Sequence, residues 1–338
     1  MIQYVARRAG LGTLVIAGVI ILTFLLNRVI PGNPAVIYAG PHASPQVLAR
    51  VSRELGLNKP VWVQVGEYFR GIFTGNWGIS LRTHRPVISD IASALPASLE
   101  LVTAALIIAI ALGVPAGIAA ARWKGRAPDT LSRFFAIIGT SMPVFWLALI
   151  LQLVFFQTLR LLPAAGEYDP NLFYTSPLAN HTNMPVVDAL ITGNWPVLRS
   201  ALVHLVLPAV AVAAYPAGLI ARMVRASLLD QLGQDHVRMV RSLGFGQRSV
   251  FGWFGLKPAL NPVVQVIALV FAYSLANTFL VEAVFGWPGL GSYAANAIQS
   301  LDTPAVVGVT LVVAIAYVVL NLLVDLVQAW IDPRIRVT

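Results

Sequence analysis

Five histidines, His42, His84, His181, His204 and His236, are the side chains of this 338-residue sequence best suited to hold a metal or to shuttle a proton near neutral pH. None sits in an H-E-x-x-H or comparable ligand spacing. The sequence contains no cysteine, which excludes disulfides, a thiolate nucleophile and Cys-based metal sites. No G-x-x-x-x-G-K-[ST] loop is present to cradle ATP phosphates. Nor is there a G-x-S-x-G with a membrane histidine, or a pair of midplane aspartates, for intramembrane proteolysis. The expectation is no catalytic residue and no metal site. What remains is charge set into apolar sequence, which is costly and marks functional candidates by default. Glu100 and Glu282 fall near the outer ends of apolar runs, His204 near the outer start of another, and Asp325 near an inner end. Glu100 and Glu282 are candidates for an outer gate or for meeting a substrate amine, against the plainer reading of helix-end carboxylates that reach water or a neighbouring Arg. Gln152, Gln265, Asn277 and Asn321 either line a cavity or bond between helices.

These residues are carried by a chain that is 57% hydrophobic and 11% charged, where a soluble domain is about 25% charged. A soluble globule is excluded. A helix needs about 20 apolar residues to cross a hydrocarbon core. Six runs reach that length, roughly Ala9 to Ile30, Ala97 to Ala121, Phe134 to Leu159, Ala201 to Val224, Pro262 to Phe285 and Ala305 to Ala329. The first follows Arg7 and Arg8 but outruns the apolar stretch of about 7–15 residues in a signal peptide and lacks an A-x-A site, so it reads as a retained span. Placing the N-terminus inside puts 14 of the 23 Lys and Arg on the cytoplasmic side with 5 of the 14 acidic residues, as the positive-inside rule asks. Both termini are then cytoplasmic. The short loop Arg122 to Arg133 is basic and the loop Gly286 to Pro304 has no basic residue.

Gly113, Pro115 and Gly117, then Pro143, then Pro208 and Pro216 interrupt the apolar runs, either to bend the helices or to let them pack closely. Of the two long outer segments, residues 31–96 begin with Pro31-Gly32-Asn33-Pro34 and then show amphipathic spacing around Leu48 to Leu57 and Val61 to Phe73. Residues 160–200 are richer in Pro, Asn and Thr and read as an outer cap. Gly286 to Gly291 reads as a tight outer turn with Trp287 at the membrane interface.

About forty residues, Arg222 to Pro262, separate the fourth and fifth spans, too many for a turn and too few for a catalytic domain. Asp235 can cap a helix with Val237, Val240 and Leu243 on one face and Arg238 and Arg241 on a neighbouring one. Gly244 and Gly246 end it, and a second short helix from Gln247 is expected to stop before Pro258. Such a helix either docks on a soluble partner or lies on anionic lipid.

At this segment the sequence resembles the permease subunits of binding-protein-dependent ABC importers, in particular the dipeptide, oligopeptide and nickel group. That family marks its cytoplasmic coupling loop with E-A-A, three residues, a Gly, and a Pro some eighteen residues later. Here Arg238-Met239-Val240 stands in place of E-A-A, followed by Gly244 and Pro262 at the kept spacing. The resemblance continues end to end through Tyr4 to Arg8, Pro31 to Pro34, Gly75-Asn76-Trp77-Gly78, Leu95 to Leu101, Ser141-Met142-Pro143 with Phe145-Trp146, Glu282 with Val284 to Gly291, and Asp325 with Asp332-Pro333-Arg334.

The resemblance implies an all-α, six-helix type I importer permease of the inner membrane. Residues 1–94 would hold the first span and an extracytoplasmic segment, residues 95–329 a five-helix domain with its coupling loop at 225–261, and residues 330–338 a cytoplasmic tail. It implies ATPase coupling through Asp235, Arg238, Arg241 and Gly244. The partners it implies are a homologous second permease, two ATPase subunits and an extracytoplasmic solute-binding protein, with no nucleic acid. This chain would bind no cofactor, ATP and Mg residing on the ATPases. The competing class is a carrier driven by an ion gradient, which would call for inverted repeats and midplane carboxylates that the sequence does not show.

Overall fold

The computed structural model of the chain describes residues 2–29, 36, 40, 43–54 and 56–331. The apolar and amphipathic runs form helices: α1 (Ile2–Val29), α2 (Pro45–Glu54), α3 (Val61–Phe73), α4 (Val87–Arg122), α5 (Ala127–Ser141), α6 (Val144–Leu151), α7 (Pro185–Thr192), α8 (Trp195–Leu232), α9 (Asp235–Ser242), α10 (Lys257–Asn277), α11 (Phe279–Phe285), α12 (Leu290–Gln299) and α13 (Thr303–Ile331). Short turns at Leu172–Thr175 and Gln247–Ser249 and wide π-turns at Gln152–Thr158 and Val250–Leu256 complete them. No strand forms among the described residues, and a single antiparallel bridge joins Ile79 to Pro86. The motifs Pro31 to Pro34 and Asp332 to Arg334 lie outside the described residues.

Among the described residues, four helical stretches are long and apolar enough to cross a membrane: Val87–Arg122, Trp195–Leu232, Gln247–Leu275 and Thr303–Leu323. Gly10–Leu25 is a shorter apolar stretch of α1. The expected third span, Phe134 to Leu159, is not one straight helix. Ala127–Ser141 and Val144–Thr158 meet at 107° and count as a fifth crossing only if taken together. The break is local chemistry. Met142 precedes a proline, is pushed out of the helical region (φ −82, ψ 134), and Pro143 then opens α6. Pro115, Pro208 and Pro216, by contrast, lie inside helices that run on without interruption.

A second correction concerns Gln247 onward. The helical stretch does not stop before Pro258 but runs through the π-turn into α10. A proline has no N–H to give and crowds the carbonyl four residues back; the wider i to i+5 turn just before Pro258 makes room for it.

The chain divides into two compact units that interleave along the sequence: Ala94–Ser292 with the chain from Leu320, and Ile2–Ser93 with Tyr293–Val319. In the first, α8 is central. It packs on α10, α5, α7 and α6, burying Leu205, Leu207, Val212, Ile220 and Val224 among others. Where α4 crosses α8, a Cβ on Gly117 would stand 2.6 Å from the Ala221 carbonyl, and one on Gly113 2.8 Å from that of Ala217. These glycines therefore serve close packing. In the second unit, Ile20, Ile72, Val307 and Leu311 form the core. Asp302 accepts from Ser80 Oγ (2.5 Å) and the Arg82 amide (3.2 Å), and also from the Ala305 amide (3.2 Å), so one carboxylate caps α13 and grips the turn between Ile79 and Pro86.

Candidate functional site

The loop between α8 and α10 places its charges outward. Helix α9 begins at Asp235; the cap position is held by Gln234 in extended backbone with no side-chain bond, so Asp235 is the first helical residue and not the cap. Its carboxylate is open to solvent and pairs with Arg238 at 3.4 Å, and an acidic first residue still complements the helix dipole. Val237 is fully buried and Val240 half-buried, as the periodicity asks, but Leu243 is 64% exposed because the chain leaves the helix there. Gly244 follows with φ +82 and open space where a Cβ would point, which is the left-handed helix stop that glycine provides. Arg238, Arg241 and Arg248 are exposed. So are three apolar side chains that the sequence did not single out, Met239, Phe245 and Trp253. Phe245 meets Phe254 edge-on at 5.8 Å, and the Lys257 ammonium lies 4.0 Å over the Trp253 ring. The result is a basic rim around uncovered apolar and aromatic groups.

Nearby, the structure joins two residues that sequence reading counted only as charges. Asp129, buried at the start of α5, receives a two-pronged bond from Arg225 of α8 (Nε to Oδ1 2.7 Å, Nη2 to Oδ2 3.0 Å), an amide bond from Gly125 (2.9 Å) and a longer contact from Arg133 (3.3 Å). An Asp in the first turn of a helix among basic residues is the only sequence signal for it.

At the other end of the same unit, Glu282 in α11 is fully buried. Its Oε1 accepts from Ser98 Oγ (2.6 Å), and its Oε2 accepts from the amides of Gly291 (2.7 Å) and Ser292 (3.1 Å) at the start of α12. Ser98 Oγ in turn accepts from the Leu290 amide (2.8 Å). Gly289 has no room for a side chain here, since a Cβ would stand 2.4 Å from Glu282 Oε2. Trp287, expected at the interface, is 1% exposed and donates its indole N–H to the Ala97 carbonyl (2.9 Å). The turn Gly286 to Gly291 is thus folded into the core. Glu282 reaches neither water nor an Arg; it ties the start of α12 to α4.

Glu100, two residues further along α4, is 8% exposed. Its Oε1 accepts from the Val186 amide in the first turn of α7 (2.9 Å), while its Oε2 is buried without a partner. Burial, and then the Glu100 charge, pushes the Glu167 carboxyl up to about 7. Asp188 on α7 is occupied by the Thr182 amide (2.9 Å) and hydroxyl (2.8 Å) and by the His181 amide (3.2 Å). His204 bonds its own helix through the Ser200 carbonyl (2.8 Å), and Gln152 donates to the Ala164 carbonyl (2.8 Å).

Comparison with known proteins places the chain in a family of membrane components. The profile described as "Binding-protein-dependent transport system inner membrane component" matches residues 113–337, and the N-terminal profile of the same kind of membrane component matches residues 1–102. The chain is 42% identical over 337 residues to the dipeptide transport system permease protein of Alkalihalophilus pseudofirmus, covering 99% of this chain and 100% of that one. It is 41% identical over 322 residues to the probable D,D-dipeptide transport system permease protein of Escherichia coli K12 (95% and 94% covered). It is 34% identical over 338 residues to the glutathione transport system permease protein of Salmonella typhimurium (99% of each). This chain belongs to the binding-protein-dependent transport system inner membrane component family, the membrane-spanning permease subunits of ABC importers.

Proposed function

We propose that this permease forms, with a homologous second permease, the membrane pathway of an inner-membrane importer for di- and oligopeptides, driven by ATP bound with Mg on two separate ATPase subunits and supplied by an extracytoplasmic solute-binding protein. The peptide assignment is carried by full-length similarity to dipeptide permeases. The coupling assignment is carried by α9, an exposed basic helix with uncovered Met239, Leu243 and Phe245 beside it. In this reading Asp235, Arg238 and Arg241 meet the ATPase, and Gly244 sets the angle at which the helix is presented. Movement of α9 passes to α8 and to the π-turn, against which it packs, and the bundle repacks between inward and outward openings. Glu282 belongs to the outer closure as a fixed brace, and Glu100 to the pathway side of that closure.

The test is reconstitution in proteoliposomes. Labelled dipeptide should enter only when the second permease, ATPases, binding protein and ATP are all present, and uptake by this chain alone under an imposed proton or sodium gradient would overturn the reading. Both termini and α9 are placed in the cytoplasm. A cysteine at Ser44 should therefore react with an impermeant thiol reagent in cells with a permeable outer layer, and one at Ser249 only after the inner membrane is opened.

A further inference from the structure

Two tyrosines meet at the seam between α8 and α10. Tyr215 stands near the middle of the 38-residue α8, and its ring lies 5.1 Å from that of Tyr273 on α10, the planes inclined at 35°. Both are therefore far from either end of the long spanning helix. Tyr273 is 48% exposed and Tyr215 half-buried, and neither hydroxyl has a hydrogen-bond partner among the described residues. Tyr273 belongs to a row on α10 with Gln265, Leu269 and Asn277, spaced four residues apart along one side of the helix. Asn277 gives one N–H to the Tyr273 carbonyl of its own helix (2.8 Å), and the Gln265 side chain has no partner among the described residues. Lipid tails offer no hydrogen bonds, so polar side chains of a spanning helix turn toward the bundle interior or a water-filled cavity.

These are also the two helices that the α9 loop joins, α8 running into it and α10 leading out of it. A polar seam between them is where movement at α9 first reaches the membrane interior. The row carries no charge. It offers phenol hydroxyls that donate, side-chain amides that donate and accept, and ring faces that take apolar groups. An uncharged peptide bond flanked by side chains of mixed kind is complementary to that set. We propose that Tyr215, Tyr273, Asn277 and Gln265 line the solute pathway and contact the peptide bond of the solute as it passes, the tyrosine hydroxyls donating to its carbonyl and the Asn277 side-chain oxygen accepting from its N–H. The substrate class rests on the peptide reading above; the pathway wall rests on the uncommitted polar groups. Such a wall reads the backbone shared by all peptides and leaves their side chains and charged ends unread.

The chain has no cysteine, so single cysteines report water access in the assembled complex, at rest and during ATP turnover. Tyr273→Cys and Asn277→Cys should react with a charged methanethiosulfonate reagent in at least one of those states. Leu112→Cys, at an exposed apolar position of α4, should react about tenfold more slowly, because apolar surroundings hold back the reactive thiolate. Reaction of both seam cysteines as slow as that of Leu112→Cys in both states overturns the pathway, whether lipid or the second permease covers the face. The second measurement compares uptake of dialanine with that of alanyl-sarcosine, which lacks the peptide N–H, and of the thioamide analogue, whose sulfur accepts hydrogen bonds weakly. The wild-type preference for dialanine over alanyl-sarcosine should fall about fivefold in Asn277→Ala, the effect of one neutral hydrogen bond. Its preference over the thioamide should fall by a similar factor in Tyr215→Phe and Tyr273→Phe, which keep the ring contact. Preferences unchanged in all three variants would overturn the contact. If the wild-type complex imports none of the three compounds, the peptide reading fails, and the thiol reactions still decide the pathway wall.

Discussion

Helix α9 and the Glu282 brace lie in one compact unit and both carry residues of family motifs, yet they use charge in opposite ways. Asp235, Arg238 and Arg241 are exposed, their one recorded pairing is a loose 3.4 Å contact, and apolar side chains stand uncovered around them. Glu282 is buried, accepts three hydrogen bonds, and is enclosed by Ser98, Gly289 and Trp287. A carboxylate with all its bonds made inside the chain holds the fold together. Charges with few bonds inside the chain are available to something outside it. The difference turns a motif into two kinds of statement, one about stability and one about partners.

Variants that strike each region should separate these roles. Glu282→Ala removes the acceptor for a buried hydroxyl and two buried amides, and should cost about 3–5 kcal/mol. The purified protein should show a large fall in melting temperature and low membrane levels; a wild-type Tm would collapse the contrast. Gly289→Ala forces a methyl against Glu282 Oε2 and Ser98 Oγ and should cost about 1–3 kcal/mol, seen as a smaller drop in Tm. Gly244→Val places a β-branched residue at φ +82, a local cost of about 1–2 kcal/mol. Membrane levels should stay near normal while solute-stimulated ATP hydrolysis of the assembled complex is lost, and full transport would show that α9 is not the coupling element. Arg238→Ala and Arg241→Ala should move stability by no more than about 0.5 kcal/mol. Each should nonetheless weaken co-purification of the ATPases at low salt, the gap to wild type closing as salt is raised and screens the same contacts.

How much of this could be read in advance follows from sequence distance. The amphipathic spacing of Val61 to Phe73 and the stop at Gly244 depend on neighbours within a few residues, and both are as expected. The break at Pro143 is equally local, although the sequence alone does not say that Pro115, Pro208 and Pro216 leave their helices uninterrupted. Trp287 fails for the opposite reason. An aromatic residue at the end of an apolar run has the look of an interfacial anchor, but its N–H found a carbonyl 190 residues earlier in the chain. Glu282 and Ser98 are 184 residues apart, Arg225 and Asp129 96 apart, and Glu100 meets an amide 86 residues away. No local pattern encodes such pairings. Asp235 missed its cap by a single position, because Gln234 turned the chain before it.

The wide turn at Val250–Leu256 carries a mechanical consequence. An α-helix advances by about 100° per residue, so one residue too many in a turn is an offset in phase between the surface at Gln247–Ser249 and the membrane face of α10. A straight helix would transmit a twist at its inner end rigidly along its whole length. Here, tightening or loosening one turn can change the angular setting of α10 while its axis stays in place, with Pro258 preventing the turn from closing fully into α form. The surface at Gln247–Ser249 and the apolar face of α10 are thereby geared rather than welded.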